Sequence, residues 1–542
     1  MSGWQQHLPI FPIVLPLLTA ALLLLLRGEA RRPQRAMLAV LAMLAQLATA
    51  GVLFAMAEAR LPAPWPGEIG VYALGGWVAP VGIVLVVDRL STLLLLLTAT
   101  LGLAALVYSL ARWSRVGVYY LPLFQCLMLG LNGAFLTGDL FNLFVFFEIM
   151  LTASYGLALH GSGLARIRAA VHYIVINLVA SLLFLIAAAL IYGVTGTLNM
   201  ADLARQVPML AAADRALFDT GAALLGIVFL VKAGSWPLNF WLPAAYGAAA
   251  APVAAIFAIL TKVGIYALLR FETLLHASDA PAPFEGQWLF YCGLATIATG
   301  TLGVLAAQRL DRLASFLVII SSGALLAAFG FNGTSLTGPA LFYLVNSVLG
   351  SGAFFLVIEL AERDRSRAAD LLAVSFDYFG GRDPEDPRHS DEVVGVAIPL
   401  GITFLGFSFI VCTLLLIGLP PLSGFIAKFA LLSTAVAAAP DAANTLAAWL
   451  LVAALLLSGL AGLITASRLG IRVFWDSSRK PPRLQWLEAG PVAALMALCI
   501  VLAMAAGPAM RYFNVAARSL HDGRGYVESV LPIQIDSEGQ RP

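Results

Sequence analysis

Apolar runs of about 20 residues, each long enough to cross the hydrocarbon core of a bilayer as a helix, follow one another along almost the whole chain. Their approximate cores are 9–26, 36–57, 87–110, 117–137, 140–159, 171–193, 219–241, 252–270, 287–307, 313–331, 338–360, 445–466 and 487–508, with a longer interrupted run at 395–435. The pattern predicts an all-α polytopic membrane protein of about 14 transmembrane helices, because a segment in lipid has to pair its own backbone polar groups. Between the runs, basic residues alternate from side to side. Arg27 to Arg35, Arg112 with Arg115, Arg166 with Arg168, Arg309 with Arg312, Arg363 to Arg367, and Arg468 to Arg483 all follow odd-numbered spans. The positive-inside rule makes those loops cytoplasmic and places both chain ends outside. Residues 59–86, rich in Pro and Gly, read as an external hairpin or irregular loop. Residues 361–394 read as a charged cytoplasmic loop, and 509–542 as a polar external tail.

Two spans carry breaks. The seventh contains Lys232-Ala-Gly234-Ser-Trp-Pro237, and the twelfth contains Gly418-Leu-Pro420-Pro421-Leu-Ser-Gly424 ahead of Lys428. Proline removes a helical hydrogen bond and glycine weakens the turn, so both helices should be discontinuous near their lysines. Unwound backbone at membrane depth is tolerated only where protein covers it or it lines a wet cavity. Paired interrupted spans in two halves of a chain therefore point to a transport site.

Composition agrees: 61% of residues are hydrophobic and 11% charged. The net charge of +2 says nothing further, and no nucleic-acid partner is expected. Cys126, Cys292, Cys412 and Cys499 stand singly in apolar surroundings and read as small core residues, not as a metal or redox motif. The first apolar run is followed by arginines, not by a small-residue cleavage site, and reads as a retained span. No phosphate loop, zinc motif or Ser/His/Asp arrangement is visible, so soluble-enzyme chemistry has no support.

The chemistry lies in the rare charges. Only four lysines occur against 28 arginines, and Lys232, Lys262 and Lys428 all fall inside spans. An intramembrane ionisable residue is a functional candidate by default, and lysine, unlike arginine, can release its proton when desolvated. Glu148, inside the fifth span, supplies a carboxylate that needs a partner; spacing alone does not choose between Lys232 and Lys262. Asp139 reads as a helix cap, while Asp88, Arg89, Glu359 and Glu362 read as membrane-edge residues. His172, inside the sixth span, is a second-line candidate.

These residues sit in familiar strings. Gly138-Asp-Leu-Phe-Asn-Leu-Phe-Val-Phe-Phe-Glu148, continuing to Gly156, resembles the fifth helix of the D-type subunit of the Mrp-type (Pha or Mnh) multisubunit cation/proton antiporters. Lys232-Ala-Gly-Ser-Trp-Pro-Leu-Asn-Phe-Trp-Leu-Pro243, the run Ala251 to Lys262, and Gly418 to Lys428 are similar to other signatures of the same superfamily, which includes the antiporter-like subunits of respiratory complex I. The resemblance implies two inverted five-helix repeats. The chain would divide into helices 1–3 (1–115), a first repeat of helices 4–8 (116–275), a second repeat of helices 9–13 (286–470), and a C-terminal helix with an external tail (484–542). It also implies a Glu148–Lys232 pair, with Lys262 as central and Lys428 as terminal proton carrier.

Some positions depart from the relatives. Ser347 and Ser351 stand where many have a histidine and a lysine, and Tyr246 replaces a common histidine. Between Lys262 and Lys428, water held by Ser321, Ser322, Tyr343, Asn346, Ser347 and Ser351 would have to bridge the gap, or the second half-channel is inactive. The expected function is a proton-translocating component of a bacterial plasma-membrane antiporter for Na+ or K+, without a cofactor or bound metal, working with other antiporter subunits in a lipid membrane. The alternative is a proton-pumping component of a complex I-type or hydrogenase-type oxidoreductase, which shares the fold and charges but not the energy source.

Overall fold

A computed structural model describes residues 3–26, 28–65, 67–161, 163–276, 287–331, 334–379, 400–438, 445–474 and 484–531. The chain opens with α1 (Phe11–Leu25) and α2 (Arg32–Ala57), then a two-stranded antiparallel sheet, β1 (Gly70–Ala73) against β2 (Val84–Val87), with Gly70 opposite Val87. That sheet is the hairpin expected in 59–86. The first half continues with α3 (Arg89–Ala111), α4 (Tyr120–Leu136), α5 (Leu140–Ala158), α6 (Leu164–Thr195), the short α7 (Met200–Gln206), α8 (Ala212–Ala233), α9 (Trp241–Ala248) and α10 (Ala251–His276). The second half holds α11 (Gln287–Ala306), α12 (Leu310–Phe329), α13 (Thr337–Phe379), α14 (Leu400–Ile417), α15 (Ser423–Ala437) and α16 (Thr445–Phe474). The chain closes with α17 (Trp486–Met504), α18 (Ala506–His521) and α19 (Gly523–Val530).

Among the described residues, 13 helices are long and apolar enough to cross a membrane, with α4 and α15 as shorter apolar helices. All 14 expected spans have a counterpart. The seventh is α8 plus α9, and the twelfth is α14 plus α15. Both breaks turn on a left-handed glycine. Gly234 (φ 69°) ends α8, and Gly418 (φ 84°) follows α14, where a Cβ would lie 2.6 Å from the Lys428 Cδ. A side chain at 418 is therefore opposed both by its backbone and by the lysine packed over it. α10 and the membrane part of α13 are buried on every side and form the centre of the bundle.

Two stretches expected to be irregular are helical. α13 runs on to Phe379, through part of the segment read as a loop, because neither Gly nor Pro interrupts residues 353–379; residues 380–394 of that segment lie outside the described residues. The stretch from 509, read as a tail, is instead α18 and α19. Phe513, Ala516, Ala517 and Leu520 repeat at helical spacing and bury one face of α18. The last 11 residues, 532–542, lie outside the described residues.

The helix ends are tied by charges. Asp88 caps α3, accepting from the Ser91 amide at 2.7 Å, and also pairs with the Arg270 guanidinium at 2.5 Å. Arg270 in turn lies 5.2 Å from the Tyr526 ring centroid of α19. At the other end, Glu359 accepts from Trp113 Nε1 at 2.8 Å, and Arg363 spans Glu359 (3.5 Å) and the buried Glu488 (2.7 Å). Asp88 and Glu359 read from the sequence as membrane-edge residues. Each has an arginine within reach, with Asp88 and Arg270 buried and Glu359 and Arg363 half-buried.

Asp88→Asn keeps the cap but leaves Arg270 without its counter-charge, and should cost about 3–5 kcal/mol. Thermal unfolding of the purified protein should show a lower midpoint, partly recovered when Arg270→Gln is added. His521 accepts from or donates to Thr337 Oγ1 at 2.9 Å, and burial, with the charge of His276 second, pushes its pKa from 6.5 down to about 4. A base with a lowered folded pKa contributes stability above its unfolded pKa and loses it as pH falls through the folded one. Amide protection factors in α18, taken relative to the intrinsic exchange rate at each pH, should therefore fall as pH drops from 6.5 towards 4, and His521→Asn should flatten that dependence.

Candidate functional site

The three intramembrane lysines are all buried, at 5%, 1% and 7% exposure for Lys232, Lys262 and Lys428. None has a carboxylate in direct contact among the described residues. Lys232 sits in the last turn of α8, where the helix dipole favours a cation. Its Nζ has no hydrogen-bond partner among the described residues and lies 4.9 Å from the ring centroid of Phe147, the neighbour of Glu148. Glu148 acts on this ammonium through space, while its Oε1 accepts a hydrogen bond from the Ser181 hydroxyl of α6. The structure thus brings Glu148 and Lys232 into one locus without joining them as an ion pair.

Lys262 lies in α10. Its Nζ donates to Ser321 Oγ at 2.6 Å and to Ser322 Oγ at 3.2 Å, both on α12. Lys428, in α15, donates at 2.6 Å to the Ile417 carbonyl, the last residue of α14, where the break leaves carbonyls unpaired at the negative end of the helix. Both cations are therefore held by neutral oxygens. A buried charge without a counter-ion costs several kcal/mol, so these sites favour any process that removes the charge or hydrates it.

A small cavity lies beside Lys428 and reaches Ser321, the hydrogen-bond partner of Lys262. It measures about 10 Å³, room for about one water molecule, and is walled by Ser321, Tyr343, Asn346, Ser347, Lys428 and Ser458 among others. Ser321 belongs both to this cavity and to Lys262, which closes most of the gap seen in the sequence. Ser322 serves Lys262 alone. Ser351 is buried but does not line the cavity. Asn346 is engaged in holding the break, accepting from Ser423 Oγ at 2.7 Å and donating to the Leu415 carbonyl at 3.3 Å. Ser458, on α16, was missed; a lone serine in an apolar helix gives no signal until the helices are packed.

His172 does not join this line. Its ring is exposed on α6 and hydrogen-bonds the Arg168 carbonyl of its own helix at 2.9 Å. Asp139 caps α5 as expected, accepting from the Asn142 amide at 2.8 Å. A larger open cavity of about 830 Å³ reaches the α9–α10 junction past Arg166, Asp311 and Glu359. Tyr246 lines it and donates to the Phe257 carbonyl at 2.7 Å.

Broken spans, buried lysines and a polar cavity at their junction define an integral membrane protein of the ion-translocating class. A family model described as NADH:quinone oxidoreductase/Mrp antiporter, TM, matches residues 137–378. The chain is 51% identical over 98% of its length, and 98% of the relative's, to a probable K+/H+ antiporter component of the D type from Rhizobium meliloti. It is 34% identical to the D-type component of the Na+/H+ antiporter of Alkalihalophilus pseudofirmus, covering 97% of this chain and all of that one. A chain of the Mrp complex from a Dietzia species superposes with a TM-score of 0.75 at 26% identity, over 98% of this chain and 100% of that one. The chain belongs to the D-type subunit family of Mrp-type cation/proton antiporters.

If the Lys262 charge is kept for transport and not for stability, Lys262→Met should unfold at an equal or higher temperature than the parent, by up to about 1 kcal/mol. A clear fall in the unfolding midpoint would instead make the Ser321 and Ser322 bonds structural.

Proposed function

We propose that this chain is the proton-conducting component of a multisubunit antiporter that exchanges Na+ or K+ for external protons, and that Glu148, Lys232, Lys262 and Lys428 form its path. The observation that carries the reading is the sharing of Ser321 between Lys262 and the cavity that reaches Lys428. Glu148 biases Lys232, Lys262 is the central carrier, and Lys428 is the terminal one. The relatives named as D-type components of K+/H+ and Na+/H+ antiporters support both the exchange and the partnership with other antiporter subunits. They favour this reading over a redox-driven pump of the same superfamily.

One broken span in each half supports two inverted repeats, at 116–275 and 286–470. The arginine pattern supports a plasma-membrane orientation with both ends outside. As part of a transporter the chain catalyses no chemical conversion of its own. Glu148→Gln keeps shape and hydrogen bonding but not charge, and should abolish exchange in everted vesicles that carry normal amounts of the complex, with Glu148→Asp partly active. Wild-type exchange by the Gln variant would remove Glu148 from the path.

A further inference from the structure

The serine hydroxyls that line the cavity beside Lys428 have a definite hydrogen-bond direction. Ser321 Oγ donates to the Val318 carbonyl at 2.8 Å, Ser347 Oγ to Leu344 at 3.0 Å, and Ser458 Oγ to Leu455 at 2.9 Å. Every one of these hydroxyl protons is turned back onto its own helix, three residues earlier. What the serines offer to the cavity is lone pairs. Asn346 gives one N–H and one lone pair to the break and keeps a second N–H, and the Tyr343 hydroxyl also lines the cavity.

A guest in this space meets the lone pairs of three serines, the Asn346 amide, the Tyr343 hydroxyl and the Lys428 side chain. A molecule that both donates and accepts suits that lining, and its size is that of one water. A bare monovalent cation would also suit lone pairs, but it would stand beside the Lys428 ammonium and be repelled by it. Water is not repelled. It can take a proton on the Lys262 side and pass one on towards Lys428 without leaving the cavity.

We propose that this cavity is a water site built for proton passage, and that Ser458 on α16 is the positioning residue that holds the water between Ser321 and Lys428. The proposal rests on the proton path proposed above and adds to it a residue and a direction of hydrogen bonding. Ser458 does not itself exchange a proton with the lysines. It fixes where the water's oxygen lies, as Ser347 does from α13.

The test uses the complete antiporter complex in everted vesicles, with Ser458→Ala, Ser458→Thr and Lys428→Ala compared for exchange rate, cation KM and amount of complex. Loss of one anchor of an ordered water should slow exchange about fivefold in Ser458→Ala. Cation KM and thermal stability should be unchanged, and Ser458→Thr, which restores the hydroxyl, should return to within about twofold of the parent rate. If Lys428→Ala stops exchange while Ser458→Ala runs at the parent rate, the water site is overturned and the path stands. If both run at the parent rate, the second half of the path falls and the water site with it. A raised cation KM at unchanged maximal rate, or a threonine variant as slow as the alanine one, would also overturn the proposal, the first by making the cavity a cation site and the second by making the effect one of packing.

Discussion

A cation buried in a low-dielectric bundle without a counter-charge is the constraint around which this structure is arranged. Lys262 lies in the most enclosed helix, and its ammonium meets only two serine hydroxyls. Lys428 meets a single carbonyl, and Lys232 an aromatic face. Each arrangement eases the cost of the charge without cancelling it, as a carboxylate in contact would. A lysine so placed gains when its proton leaves. An arginine would stay charged and be trapped, which gives the rarity of lysine in this chain a physical meaning.

Elsewhere charges are treated in the opposite way. Asp88 and Arg270 are buried and directly paired, and half-buried Glu359 and Arg363 pair with each other and with the buried Glu488. Removing one member of such a pair leaves the other exposed to a desolvation penalty, so these clusters resist change. The same chain thus uses arginine–carboxylate pairs as clamps and leaves its intramembrane lysines without a contacting carboxylate among the described residues. α10 carries one of each: Lys262 in its middle and Arg270 two turns further on. The clamp fixes the helix whose lysine has to be presented to Ser321 with a tolerance of a few tenths of an ångström.

Spans and breaks could be read from the sequence because each depends on local rules: twenty apolar residues cross a bilayer, and Gly-Pro combinations end a helix. Asp139 as a cap is local in the same sense. What escaped the sequence depends on which helices become neighbours. Asp88 and Arg270 are separated by 182 positions but touch, and no spacing rule connects them. Ser458 looks like any serine in an apolar helix until α16 packs against α12, α14 and α15. α18 is a different case. Its apolar stripe was present in the residues, but a search for long uninterrupted runs passes over a helix that is half polar. His172 failed for the converse reason, since position within a span does not say which face a residue occupies.

The serines between Lys262 and Lys428 change what kind of relay this half of the protein can contain. A histidine or lysine in the middle of the path would hold a charge of its own and give the proton a resting place. Hydroxyls bonded back to their helices give none, so on the path proposed above a proton would cross in one passage, carried by water. The stations of that proposed path are the lysines at either end. The state of one is felt by the other through the oxygen of Ser321, which already carries the bond from Lys262, and an ammonium at Lys428 disfavours a second positive charge in the cavity. Transfer from Lys262 is easiest when Lys428 has already lost its proton. If both lysines carry protons as proposed, the geometry orders their two release events without any moving part other than the water and the lysine side chains.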